Sequence, residues 1–95
     1  MARYTGLILI TGEVTGEISG DNGSESTKII ESGFLDALSP FAIEILDKQI
    51  MEIRDRFFLA IYIKLDRAHQ KAIEKDLELA AERFKVDLAI DFKEF

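Results

Sequence analysis

The residues best placed to do chemistry surround a glycine-rich stretch, Gly12 to Ser26, GEVTGEISGDNGSES, in which Glu13, Glu17, Asp21 and Glu25 are interleaved with four glycines. Carboxylates so gathered could hold a hard cation, and glycines could let backbone N–H groups approach a phosphate. Neither pattern is met. Counting back from Gly23 puts Gly20 and Ile18 where calcium ligands belong, and Gly20-Asp21-Asn22-Gly23 follows neither glycine order known for phosphate loops. The acidic side chains would also repel a phosphate, so a solvated acidic loop is the better reading. His69 is the one histidine and there is no cysteine, so no metal centre or thiolate chemistry can be assembled from them. Ser19, Ser24, Ser26, Ser32 and Ser39 fall in loops or near helix ends without a GxSxG elbow or a base, which suits capping rather than nucleophilic catalysis. No catalytic motif emerges, no metal or cofactor is implied, and the chain reads as a non-enzyme.

The elements that would position these residues are more legible. Ala42 to Leu65, AIEILDKQIMEIRDRFFLAIYIKL, predicts two strands joined by a charged turn at Arg54-Asp55-Arg56. In the first strand Ile43, Ile45, Met51 and Ile53 share one face at period two, against Glu44, Lys48 and Glu52, the pattern of a half-buried edge. The second carries apolar side chains on both faces, Phe57, Leu59, Ile61 and Ile63 against Phe58, Ala60 and Tyr62, so it is central. Tyr4 to Thr11 has the same two-sided character. Ser24 or Ser26 can cap a helix with Ile30, Phe34, Ala37 and Leu38 on its inner face, ending before Pro40. Gly33 inside it costs about 1 kcal/mol relative to Ala and predicts a close approach of helix to sheet. Asp66 can cap a second helix with Ile73, Leu77, Ala80, Ala81 and Phe84 inward, and Val86 to Phe92 is a second edge strand with Asp87 and Asp91 outward. The Gly12 to Ser26 loop has room for a short hairpin packing Val14 and Ile18, with Asp21-Asn22-Gly23 as its turn. The order β-α-β-β-α-β, with short right-handed connections, predicts a ferredoxin-like α+β sandwich with two helices on one face of a four-stranded antiparallel sheet.

At 95 residues the chain is one domain, with 47% hydrophobic and 32% charged residues, a folded composition. A formal charge of −6 and the absence of a basic patch argue against nucleic acid and anionic membrane surfaces. Phe57, Phe58 and Tyr62 would otherwise suggest base stacking on a sheet of this order; an apolar patch for a protein partner is the better account. No stretch approaches membrane-spanning length and nothing addresses the chain elsewhere, so a cytoplasmic location is expected.

Phe34 to Leu65 resembles the ACT domain, the small ligand-sensing module of amino-acid metabolism, and most of all the ACT domain that opens some bacterial phosphoserine phosphatases. The similarity lies in Thr11-Gly12 closing the first strand, Leu38-Ser39 ending the helix, Ile45-Leu46-Asp47 with Gln49 in the second strand, and Ile53-Arg54-x-Arg56 at the hairpin. The family's Asp-x-Pro-Gly-like turn after strand one is missing, and the loop there is roughly a dozen residues longer than usual.

The resemblance implies a regulatory domain that binds a small amino acid, serine first, where two ACT domains meet, as a homodimer or by pairing with a second ACT domain. The positions implied are Gly12, Glu13, Asp21, Asn22, Gly23, Asp47 and Gln49. Asp47 or Asp21 would meet the ammonium, and backbone N–H groups near Ser24 to Thr27 the carboxylate. Asp47 and Gln49 have a plainer reading too, a β-bulge or a strand end at which the pattern changes face. The phosphatase chemistry would lie in another domain, because no Asp-x-Asp motif occurs in these residues. The alternative is a dimerisation module that has lost its ligand.

Overall fold

The computed structural model describes residues 3–13 and 25–94. The elements run β1 (Arg3–Glu13), α1 (Glu25–Leu38), β2 (Glu44–Ile53), β3 (Arg56–Asp66), a 3-10 turn (Arg67–His69), α2 (Gln70–Phe84) and β4 (Asp87–Glu94). The sheet order is β2-β3-β1-β4 with every pairing antiparallel. This is the ferredoxin-like βαββαβ sandwich that the pattern predicts, with β1 and β3 in the middle.

Alternation along the central strands builds the core. Ile8 and Ile10 of β1 and Phe57, Leu59, Ile61, Ile63 and Leu65 of β3 are buried on the helix side. Ile30, Phe34 and Leu38 descend on them from α1, and Ile73, Leu77, Ala80 and Ala81 from α2. Helical spacing brings each set onto one stripe. Helix α1 stops where Ser39 turns back, its N–H and hydroxyl both donating to the Asp36 carbonyl at 3.2 and 2.8 Å, just ahead of Pro40. Helix α2 stops at Lys85, which adopts a left-handed conformation with φ 60°. There the Lys85 and Val86 N–H groups donate to the Glu82 and Ala81 carbonyls, the Schellman arrangement, with lysine where glycine is usual.

Several expectations change. Gly33 is a close approach, but of helix to helix: a Cβ there would lie 2.4 Å from the ring of Phe84 in α2. Asp66 caps the 3-10 turn that leads into α2, accepting the Ala68 N–H at 3.1 Å. Ser26 lies inside α1, while Ser24 lies outside the described residues, as do Val14, Ile18 and the expected hairpin. The β2–β3 turn is Arg54-Asp55 alone, with Arg56 already paired to Ile53. Strand β1 runs on through Gly12 and Glu13, so both are strand residues.

The largest difference is in β2. Ile45 pairs with Ile63 and Asp47 with Tyr62, so Leu46 is an extra residue and the strand changes face across it. Ile45 consequently lies on the helix side, whereas Met51 and Ile53 lie on the open side with Asp47 and Gln49. All ten residues of β2 are exposed, so the expected half-buried face does not form. Phe58, Ala60 and Tyr62 do occupy the open side of β3, and Phe58 and Tyr62 are each 39% exposed.

Candidate functional site

The structure separates the sequence-derived candidates. Gly12 and Glu13 end β1; Asp47 and Gln49 follow the bulge in β2; Asp21, Asn22 and Gly23 lie outside the described residues. Gly12 is level with Glu52 through their common neighbour Phe57, and Gln49 lies three residues further along β2. With strands about 4.8 Å apart and about 3.3 Å per residue, the two groups are roughly 14 Å from one another, and Gly12 faces the helices while Asp47 and Gln49 face away. One chain does not bring them into one site.

The Gly12 group borders a cleft of about 570 Å³ at the end of the sheet. Its apolar wall is Ile29 and Ile30 of α1, Phe84 of α2 and Val86. Glu13, Arg56, Lys85 and Asp87 line it too, two anions and two cations. The Arg56 guanidinium stands 3.9 Å from the Glu13 carboxylate, both well exposed, so the pair is loose. Gly12 has a packing reason of its own: a Cβ there would come within 2.8 Å of Phe57 and 2.9 Å of Val86, so only glycine lets the ring of Phe57 pass.

The Asp47 group borders a shallower hollow of about 210 Å³ on the open face, shared with Leu7, Ala60 and Tyr62. Here Asp47 already has a structural task, because its Oδ1 accepts the Lys48 N–H at 2.8 Å and holds the bulge. The β-bulge reading is therefore realised, and the remaining carboxylate valence of Asp47 faces solvent. On the helix side of the same strand, Lys48 pairs with Glu31 and the Thr27 hydroxyl donates to Glu52 at 2.9 Å, tying α1 to β2. Among the described residues no group of three or more His, Asp or Glu could hold a metal ion, and no helix is long and apolar enough to cross a membrane. His69 packs its ring against Phe41 at 5.9 Å, a structural role.

Sequence reasoning did not find Ile29, Phe84, Lys85 or Asp87 as cleft residues. Arg56 stood in the hairpin resemblance, but nothing local in the sequence links it to Lys85; only the crossing of β1, α2 and β4 at one end of the sheet does.

A family model of the ACT domain matches residues 22–92. Among solved structures, an ACT domain protein from Streptococcus pneumoniae is similar with a TM-score of 0.68 at 12% identity, over 94% of this chain and 89% of that one. Formyltetrahydrofolate deformylase from Burkholderia mallei is similar with a TM-score of 0.69 at 14% identity, over 93% of this chain and 28% of the deformylase. A protein assigned as a glycine cleavage system transcriptional repressor gives 0.66 at 14% identity, over 96% of this chain and 46% of that one. The chain thus spans a minor part of the deformylase and about half of the repressor, and at such identities the likeness carries the fold alone. No curated protein sequence matches. With the family model covering most of its length and the sheet order agreeing, the chain belongs to the ACT domain family.

Proposed function

We propose that this chain is a regulatory domain of amino-acid metabolism that binds a small amino acid and works as a pair of copies joined along β2. The single observation that carries the pairing is the state of that strand. All ten residues are exposed, and Ile45, Leu46, Ile50, Met51 and Ile53 stand in solvent at a sheet edge with no further strand among the described residues. Unpaired edge N–H and C=O groups beside exposed apolar side chains favour strand addition by a like edge. Asp47 and Gln49 would lie at that seam, where a carboxylate and an amide can meet an ammonium group.

Serine is the first candidate effector, from the resemblance to the ACT domain of phosphoserine phosphatases, and on that reading the catalytic domain lies outside these residues. The test is a thermal-shift panel of amino acids at millimolar concentration together with the mass in solution. An effector that binds only the native state raises the melting temperature by mass action. A dimer stabilised by serine is the expected outcome; a dimer that responds to no amino acid would favour the second reading, a pairing module without a ligand. That second reading draws support from Asp47, whose carboxylate is already engaged by the bulge.

A further inference from the structure

We propose that the outer edge of β4 is a docking site for a basic segment of another protein, which adds to the sheet there as an extended strand. Among the described strands β4 pairs with β1 alone, so on its other edge every second residue points its N–H and C=O outward. Along that edge, on the helix side, runs a groove of about 380 Å³. Its floor is apolar, Ala81 of α2 with Val86, Leu88 and Ile90, and its rim is Glu74, Glu78 and Glu82 of α2. Lys71 and Lys75 of the same helix lie outside that lining, which contains no cation. On the open side of the strand Asp87 and Asp91 are exposed, with Lys93 the one cation of β4 there. Carboxylates therefore flank the edge on both faces of the sheet.

Folding alone gives no reason for the glutamate row. Glu74, Glu78 and Glu82 stand four apart on one stripe of α2, where like charges repel and cost the helix stability. None of them has an ion-pair partner among the described residues. As a recognition surface the row has a use. A lysine or arginine lays its apolar stem on Leu88 and Ile90 and carries its charge to the glutamate rim, which neither an acidic nor a wholly apolar segment can do. The same charges refuse other occupants: a second copy would bring its own carboxylates to the edge, like against like, and phosphates would be repelled. Charge on an edge strand also discourages aggregation, but that role by itself predicts no affinity for a basic strand. The inference stands whether or not β2 pairs with a like edge.

Calorimetry and amide exchange on the purified chain test this with a capped peptide of alternating lysine and threonine, matched in length to β4. It should bind with an affinity that falls as salt rises, and should slow exchange at alternate amides of β4 while leaving those of β2 unchanged. The same peptide with glutamate for lysine, or with every backbone nitrogen methylated, should bind at least about tenfold more weakly, and so should spermine, which has the charge but no backbone to pair. Glu78→Gln with Glu82→Gln should weaken binding at least about fivefold and leave the melting temperature equal or higher, because it removes a like-charge pair from the helix. Asp36→Asn with Glu44→Gln makes the same change of charge at the end of α1 and the start of β2, away from β4, and should leave the affinity unchanged. Absence of binding would leave the carboxylates only the task of keeping the edge solitary and would overturn the inference. So would spermine or the methylated peptide binding as tightly, an equal loss in the two double variants, or protection of β2 in place of β4.

Discussion

The two edges of the sheet are closed by different chemistry. Strand β4 keeps Leu88, Ile90 and Phe92 half-buried beneath α2 and turns Asp87 and Asp91 outward, and the Phe92 ring lies over Gly6, where a Cβ would come within 3.1 Å. Strand β2 is exposed on both faces; what ties it to the helix layer is polar, Lys48 with Glu31 and Thr27 with Glu52. Two helices that pack closely against each other leave the sheet one strand wider than its cover. The apolar residues of β2 thus stand exposed at the edge that lacks a roof, and that is the edge the proposed pairing would use.

The largest test of that contrast uses two residues that face each other on the helix side, Leu59 of β3, fully buried, and Ile50 of β2, 41% exposed. Leu59→Ala should cost about 2–5 kcal/mol in urea unfolding, the range for a buried leucine. Ile50→Ala should cost under about 1 kcal/mol in dilute solution, and more as protein concentration rises and pairing covers the edge. Equal costs at all concentrations would show that β2 is already roofed within one chain.

A smaller effect concerns how the roof is held. Gly33→Ala places a Cβ against the Phe84 ring, and overpacking of this kind costs about 1–3 kcal/mol, offset by up to about 1 kcal/mol of helix propensity. Denaturation of the single variant and of the double variant with Phe84→Leu separates the two contributions. The penalty should shrink in the double variant. If it does not, the spacing of the helices is not what limits the cover over β2.

The difference between the edges also explains what the sequence could and could not show. Strands β1 and β3 were legible because Leu7 to Ile10 and Phe57 to Ile63 are apolar on both faces, and only a central position satisfies that. The inner faces of both helices were legible from spacing. The facing of β2 was legible only in part: the polarity of Asp47 and Gln49 allowed a change of face there, but the period-two pattern put Ile45, Met51 and Ile53 on one side, and the extra residue at Leu46 separates them. Gly33 and Gly12 were visible as glycines, while their reasons, the Phe84 ring and the pair Phe57 and Val86, arise from tertiary packing. The cleft was the least legible of all, since Glu13, Ile29, Arg56 and Lys85 come from four separate elements or their ends. Local patterns therefore mark strands and cores well, and sites that depend on crossings poorly.

The turn that joins the two strands offers a modest gain. Arg54 holds φ 57°, a left-handed conformation that costs a residue with a Cβ about 1 kcal/mol. Arg54→Gly removes that penalty but gives the unfolded chain more freedom, so a net stabilisation of about 0.5 kcal/mol is expected in urea unfolding. A loss instead would mean that the Arg54 side chain itself secures β2 to the sheet.

The smallest expected effect falls on the polar tether. Lys48 and Glu31 form an ion pair with the lysine substantially exposed, and such pairs contribute about 0–1 kcal/mol because water and salt compete for both charges. Lys48→Ala should therefore lower stability by less than about 0.5 kcal/mol, with the difference fading in high salt. Position 48 lies on the helix side of an edge that carries exposed isoleucines on either side of it, so the same substitution removes a charge from the surface proposed to pair. Its effect on association should be the reverse of its effect on folding: dimerisation measured by sedimentation should be unchanged or stronger in Lys48→Ala. Weaker pairing would show that the lysine contacts the second copy, and that β2 meets its partner through charge rather than through its apolar side chains.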